Sequence, residues 1–279
     1  MVTFKASTTE LLHSLQADIS ANRLVLPMPP DLALRARSLI ADPDCSINTL
    51  ADLISTDATL SARLLKVVNS TAYSGREPIH TISGAITRLG LQLVQSLINQ
   101  LSLLQSIYQY DTQTRRWLRE PVRQSQAVGV WAAALAVQQT KLNPEEAMLS
   151  GLIHNIGALP VLARLARRHG TRTSADEAIA IARTLHQKVG IHILQQWHFP
   201  PHMLQIIEHQ RNPAYGPGQA THYTDLVIAA LALFEVEEER LNADQAERLL
   251  AFSKLGITPQ QALDCAELAE SRQAYAERF

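Results

Sequence analysis

Residues 143–162 read NPEEAMLSGLIHNIGALPVL. Asn143, Pro144, Glu145 and Glu146 spell a helix start. A capping side chain comes first, then a proline whose missing N–H costs nothing in the first turn, then two acids facing the positive end of the helix. Behind that start, Ala147, Ser150, Gly151 and His154 recur at helical spacing. Three small residues therefore share a face with an imidazole, and small residues let a second backbone approach closely.

The same period runs outward in both directions. Leu91, Val94, Ile98, Leu101 and Leu104 step by three or four, as do Ile47, Leu50, Leu53 and Ile54 behind the N-cap Ser46. Pro29-Pro30-Asp31 opens one more helix, and Ser174 with Glu177 forms a capping box. No stretch alternates in strand fashion, so the fold class is all-α, with about a dozen helices. Residues 108–116 (YQYDTQTRR) mark an internal boundary, residues 210–221 (QRNPAYGPGQAT) a loop, and residues 235–240 (EVEEER) an acidic run.

A chain of 279 residues buries about three quarters of its unfolded surface and needs no disulfide or metal staple. A net charge of −1 exerts no global pull on nucleic acid or anionic lipid, and 5% aromatics make a base-stacking platform a poor expectation. Cys45 and Cys265 lie far apart with no ligand spacing and read as reduced thiols of a cytoplasmic protein. The N-terminus carries no secretory pattern, and the longest unbroken apolar run, residues 226–234, is too short to span a bilayer.

Two stretches resemble the HDOD family of bacterial signalling proteins. In residues 26–93, a proline-rich opening leads to LADLISTDATLSARLLKVVNSTAYSG and then ISGAITRLGLQL. Asn69-Ser70 and Leu89-Gly90 match the family, while Asp57-Ala58 stands where it usually has Asp-Pro. In residues 122–213 the motifs are GLIHNIGALPVL, LHQKVGIHILQQWHFP and IIEHQRNP. The resemblance implies an HD-type helical core, residues 111–279 with a C-terminal helical extension, preceded by a small N-terminal helical bundle, residues 1–110.

It also implies a site. Catalytic HD-domain hydrolases hold divalent metal with a histidine, an adjacent His-Asp pair, further histidines and a distal aspartate. Metals need deprotonated carboxylates and neutral imidazoles, and a bound metal makes hydroxide near neutral pH. At the matching positions this chain has Gln124, His154-Asn155, His186 and His209-Gln210, with Asp225 as candidate distal acid. Asparagine offers a neutral oxygen and cannot replace an anionic ligand. Gln124 shares a face with Val128, Trp131 and Leu135, and His186 with Ala182, Val189, Ile193 and Trp197. Either one helix runs through His186 or a new one starts at Thr184, capped with Gln187.

The resulting expectation is a non-catalytic signal-transduction module acting through a signalling protein partner, with a vestigial pocket, no cofactor, and no nucleic acid or membrane partner. One alternative is a metal-dependent phosphohydrolase with weakly bound divalent metal at His154, His186, His209 and Asp225. The other is a nucleotide sensor whose arginines hold a phosphate. The basic stripe Arg115, Arg119, Arg123 and the cluster Arg164, Arg167, Arg168, His169 and Arg172 read as solvated faces and helix C-terminal cations. Trp117, Trp131 and Trp197 read as core.

Overall fold

A computed structural model describes residues 13, 17, 31–44, 46–69, 78–91, 93–95, 97–98, 112–169, 175–196 and 199–277. The side chains of Arg167, Arg168 and His169, and all of Cys45, Ser70, Arg172, Ser174, Trp197 and His198, lie outside the described set, as do the turn Pro29-Pro30 and residues 108–111. The described residues are helical and contain no strand.

The N-terminal helices are α1 (Asp31–Ile40), α2 (Ile47–Ser55), α3 (Ala58–Val68) and α4 (Ile82–Leu89). Each of the last three starts on a side chain that accepts an otherwise orphaned backbone N–H. Ser46 Oγ takes Thr49 N at 3.0 Å, Asp57 Oδ1 takes Leu60 N at 2.9 Å, and Thr81 Oγ1 takes Gly84 N at 3.2 Å. The buried faces form one core, with Leu50, Ile54, Leu60, Leu64, Val68, Ile86 and Leu97 essentially solvent-free. Asn69, just past α3, clamps the incoming chain. Its Nδ2 donates to Leu65 O and Ile79 O at 2.9 and 2.7 Å, and its Oδ1 accepts Ile79 N at 2.8 Å. The motif asparagine is thus a backbone latch.

A second core lies within residues 118–268. Its spine is α5 (Thr112–Gln139), 28 residues with Pro121 inside. The polar segment read as a boundary at 108–116 therefore already belongs, from Thr112, to a long helix. Next come α6 (Pro144–Ile153), α7 (Ala158–His169), α8 (Ala175–Gln196), α9 (Pro201–His209) and α10 (Tyr223–Glu237). The start of α6 is as the sequence spelled it: Asn143 Oδ1 accepts Glu145 N at 2.9 Å, and Pro144 sits in the first turn. Helix α8 runs unbroken through His186, so Thr184 starts no new helix. Four short helices follow: α11 (Ala243–Glu247), α12 (Leu250–Leu255), α13 (Pro259–Asp264) and α14 (Ala266–Ala276).

Two glycines set the spacing. A side chain on Gly151 would run into the backbone of Val128 and Gly129, where α6 crosses α5. One on Gly157 would run into His186 O and Gly190 N, where the turn after α6 lies on α8. Only glycine permits either approach. Trp131 is buried and donates to Glu237 Oε2 at 2.9 Å, while Arg272 of α14 stacks 3.7 Å over its ring. Trp117 is only half-buried. One described stretch, Pro144–Ala166, is long and apolar enough to cross a membrane. It is 83% buried in this core and is interrupted by the turn between α6 and α7.

Candidate functional site

Helix α5, the α6–α7 turn, α8 and the end of α9 converge on one pocket. Gln124, His154, Asn155, His186 and Gln210 all line it, with Glu120, Arg183, Arg211 and Arg240 toward the outside. The enclosed space is about 30 Å³. That is enough for a water or two, since one water needs roughly 10–15 Å³.

Local backbone reasons put each group there. His154 ends α6 and opens the tight turn that Gly157 allows against α8. Its Nδ1–H donates to Gly151 O at 2.5 Å, which leaves Nε2 as the lone-pair nitrogen. Gln210, in the turn after α9, donates from Nε2 to His154 O at 2.6 Å and so ties α9 to that turn. Asn155 Nδ2 faces Gln124 Oε1 at 3.4 Å. His186 is 92% buried, and its Nδ1 has no hydrogen-bond partner among the described residues.

Both imidazoles are held neutral. Burial, with smaller pushes from the charge of Arg211 and from His186, brings His154 down to about 3 against the pull of the Gly151 carbonyl. Burial, then the charges of Arg211 and Arg183, bring His186 down to about 4. At the rim, Arg123 pairs with Glu120 at 2.9 Å and with Glu238 at 2.8 Å, and Arg240 reaches Glu120 at 2.8 Å. Those guanidiniums hold the Glu120 carboxyl below the usual range. Arg211 makes a single bond to Glu235 at 3.2 Å, and Arg183 has no ion-pair partner among the described residues.

Two residues of the expected set lie elsewhere. His209 turns outward at the end of α9, with its side chain 40% exposed and its ring 5.0 Å from that of Tyr215. The next residue, Gln210, is the one that points in. Asp225 is fully buried at the start of α10. There its carboxylate takes His222 N at 2.8 Å and pairs with the equally buried Lys254 at 3.1 Å. The His222 N–H and the Lys254 ammonium engage both carboxylate oxygens, so this charge is committed to the start of α10 and does not line the pocket. Sequence reasoning missed Arg183, Arg211, Arg240 and Glu120. Two of these had a signal: Arg183 stands one turn before His186, and Arg211 directly follows Gln210.

The donor set is a poor match for a divalent metal. Hard cations require anionic oxygen. The inward groups here are two imidazoles and three carboxamides, and the one nearby acid, Glu120, is held by two guanidiniums.

The HDOD domain model matches residues 26–213. A solved structure from Shewanella amazonensis SB2B, provisionally named a metal-dependent phosphohydrolase, superposes with a TM-score of 0.84. It shares 28% identity, covering 98% of this chain and 99% of the other. An HDOD domain protein of unknown function from Geobacter sulfurreducens shares the fold, with a TM-score of 0.67 and 21% identity over 98% of each chain. An uncharacterized protein of Treponema pallidum (strain Nichols) is 25% identical over 230 residues, 77% of this chain. This chain spans only 42% of that curated relative's length. With a family model matching two thirds of its residues, this chain belongs to the HDOD domain family.

Proposed function

We propose that this chain is a non-catalytic HDOD signalling module of the cytoplasm, working through contacts with a signalling protein and using neither metal nor nucleic acid. One observation carries the reading. At the pocket where the family's hydrolytic relatives would place metal ligands stand Gln124, Asn155 and Gln210, beneath a rim of arginines. Carboxamides supply no charge to offset a dication, and cationic neighbours raise the local potential against one. Without a metal there is no group here to lower the pKa of water toward neutrality. A surface for protein contact is available in the N-terminal bundle. An open groove between α1 and α2 is lined by Leu34, Leu39 and Leu53 and edged by Arg35, Asp42 and Asp52.

Elemental analysis of the purified protein, run beside a phosphodiesterase assay with added Mn²⁺, tests the reading. The expected result is well under one metal per chain and no turnover. Stoichiometric Fe, Mn or Zn, with turnover that disappears in His154→Ala, would establish the hydrolase instead.

A further inference from the structure

We infer that the pocket is an oxyanion site that takes the terminal phosphoryl group of a small molecule, held between Arg183, Arg211 and the Nδ1–H of His186. This rests on the non-catalytic reading above and names the chemistry that the pocket recognises.

Charge points that way first. Around the opening, Glu120 and Glu238 answer Arg123 and Arg240, and Glu235 answers Arg211 through one bond only. Arg183, on the pocket wall, has no answering acid among the described residues. A guanidinium carries five donors, so Arg211 keeps most of its own for another acceptor. Planar guanidiniums are the preferred partners of phosphate oxygens.

The second indication is independent. A buried polar atom with no partner is rare and calls for a physical reason. Such an atom in a well-packed core is costly, yet His186 Nδ1 is in this condition among the described residues, on a side chain that lines the pocket. A neutral imidazole can donate from that nitrogen to an oxyanion. Arg183 lies one turn earlier on the same helix face, and the charges of Arg183 and Arg211 both reach His186. Three donors of one polarity thus surround the same volume.

Size sets the ligand class. The inner space of about 30 Å³ admits no whole nucleotide, so the phosphoryl head is the part that meets the arginines at the pocket mouth. Arg183 is exposed, so the body of a larger molecule would remain outside while its phosphoryl head entered. Free phosphate and a phosphomonoester offer the same head.

Isothermal titration calorimetry on the full chain, in chloride buffer at constant ionic strength, separates the cases. The probes are inorganic phosphate, 5′-AMP and adenosine. Saturable one-to-one binding of phosphate or 5′-AMP, with none for adenosine, is expected. Tighter binding of 5′-AMP marks a nucleotide source, and equal binding marks phosphate itself. Arg183→Gln should weaken binding about tenfold or more, as loss of a charge-assisted hydrogen bond does. Arg183→Gln with Arg211→Gln should abolish it. Arg248→Gln, on an exposed turn away from the pocket, should leave it unchanged. No saturable binding of phosphate or 5′-AMP, or binding that survives the double substitution, would overturn the inference while the non-catalytic reading stood. Release of phosphate from bound 5′-AMP would overturn the non-catalytic reading and leave the oxyanion site in place.

Discussion

The C-terminal core buries two polar stations, and they are built on opposite rules. At the first, Asp225 and Lys254 lie almost fully inside the protein and satisfy one another, with the His222 N–H completing the carboxylate's partners. At the second, the pocket, an imidazole nitrogen has no partner among the described residues, and arginines outnumber acids in the lining. A closed network fixes structure, because every group in it has its answer within the chain. An open one is structurally expensive and is retained where something from outside completes it. The contrast reassigns Asp225, the residue proposed from sequence as a distal metal ligand: its charge belongs to the fold.

Breaking the closed station should produce the largest effect. Lys254→Met leaves a buried carboxylate alone and should lower unfolding free energy by about 3–5 kcal/mol in urea. The double change Asp225→Leu with Lys254→Met should recover most of that loss, since apolar pairs of similar volume replace buried ion pairs well. A single-variant loss below about 1 kcal/mol would mean the pair behaves as a surface contact and that the contrast is drawn in the wrong place.

The open station should reveal itself through pH. His154 and His186 stay neutral in the folded chain, at about 3 and about 4, against 6.5 when exposed. Their contribution is therefore complete above pH 6.5. As pH falls below that value the unfolded chain binds protons that the folded chain refuses. Stability then drops by about 1.4 kcal/mol per pH unit for each histidine. The loss continues to about pH 4 for His186 and further for His154. Melting curves at pH 7.5 and 5 should show it, and His186→Gln should remove roughly half the slope. An unchanged slope in that variant would show that other groups set the acid limit.

Much of this fold was legible because its signals are local. The cap at Asn143, the proline at 144 and the small face of α6 needed only neighbours three or four residues apart, and the crossing at Gly151 follows from them. Gln124, His154, Asn155, His186 and Gln210 were legible as a set through motif order, which places them in one pocket without any knowledge of packing. What failed was long-range and directional. Whether position 209 or 210 points inward depends on where α9 ends. The fate of Asp225 depends on a lysine 29 residues later. The segment 235–240 was legible only as an acidic run, yet its members hold Arg123, Arg211 and Arg272 from three distant segments.

The spacing that builds the open station rests on Gly157. A methyl group there meets His186 O and Gly190 N, which are backbone atoms that cannot rotate away. Gly157→Ala should cost about 1–3 kcal/mol by overpacking and should disturb the pocket. Gly190→Ala is the matched comparison. Its new methyl meets chiefly the tip of Ile207, at 3.0 Å, which can shift, and helix propensity gains up to about 1 kcal/mol. If both variants cost the same, the close approach of the turn to α8 is not what positions His154.

The smallest expected effect tests whether the open station can be turned back toward a metal. Gln124→His with Asn155→Asp restores an imidazole and a carboxylate at positions whose present side chains face each other at 3.4 Å. His154 and His186 line the same space, so three imidazoles and one carboxylate would meet there. His209 would not join them, because its ring packs outward on Tyr215. Arg183 and Arg211 would still oppose a dication, so the gain should be modest. Zn²⁺ affinity, measured by competition with a chromophoric chelator, should rise about tenfold over the wild-type chain, the scale on which ligand-shell changes act. Adding Arg183→Gln should raise it again, because removing a nearby positive charge favours both the cation and the deprotonated carboxylate. Phosphate binding should move the other way in the same triple variant. One substitution that strengthens metal binding and weakens phosphate binding would show that a single cationic wall separates the two uses of this pocket. If Arg183→Gln left metal affinity where it was, the arginine would lie too far from the ligand positions to matter, and the mismatch with metal would rest on Gln124 and Asn155 alone.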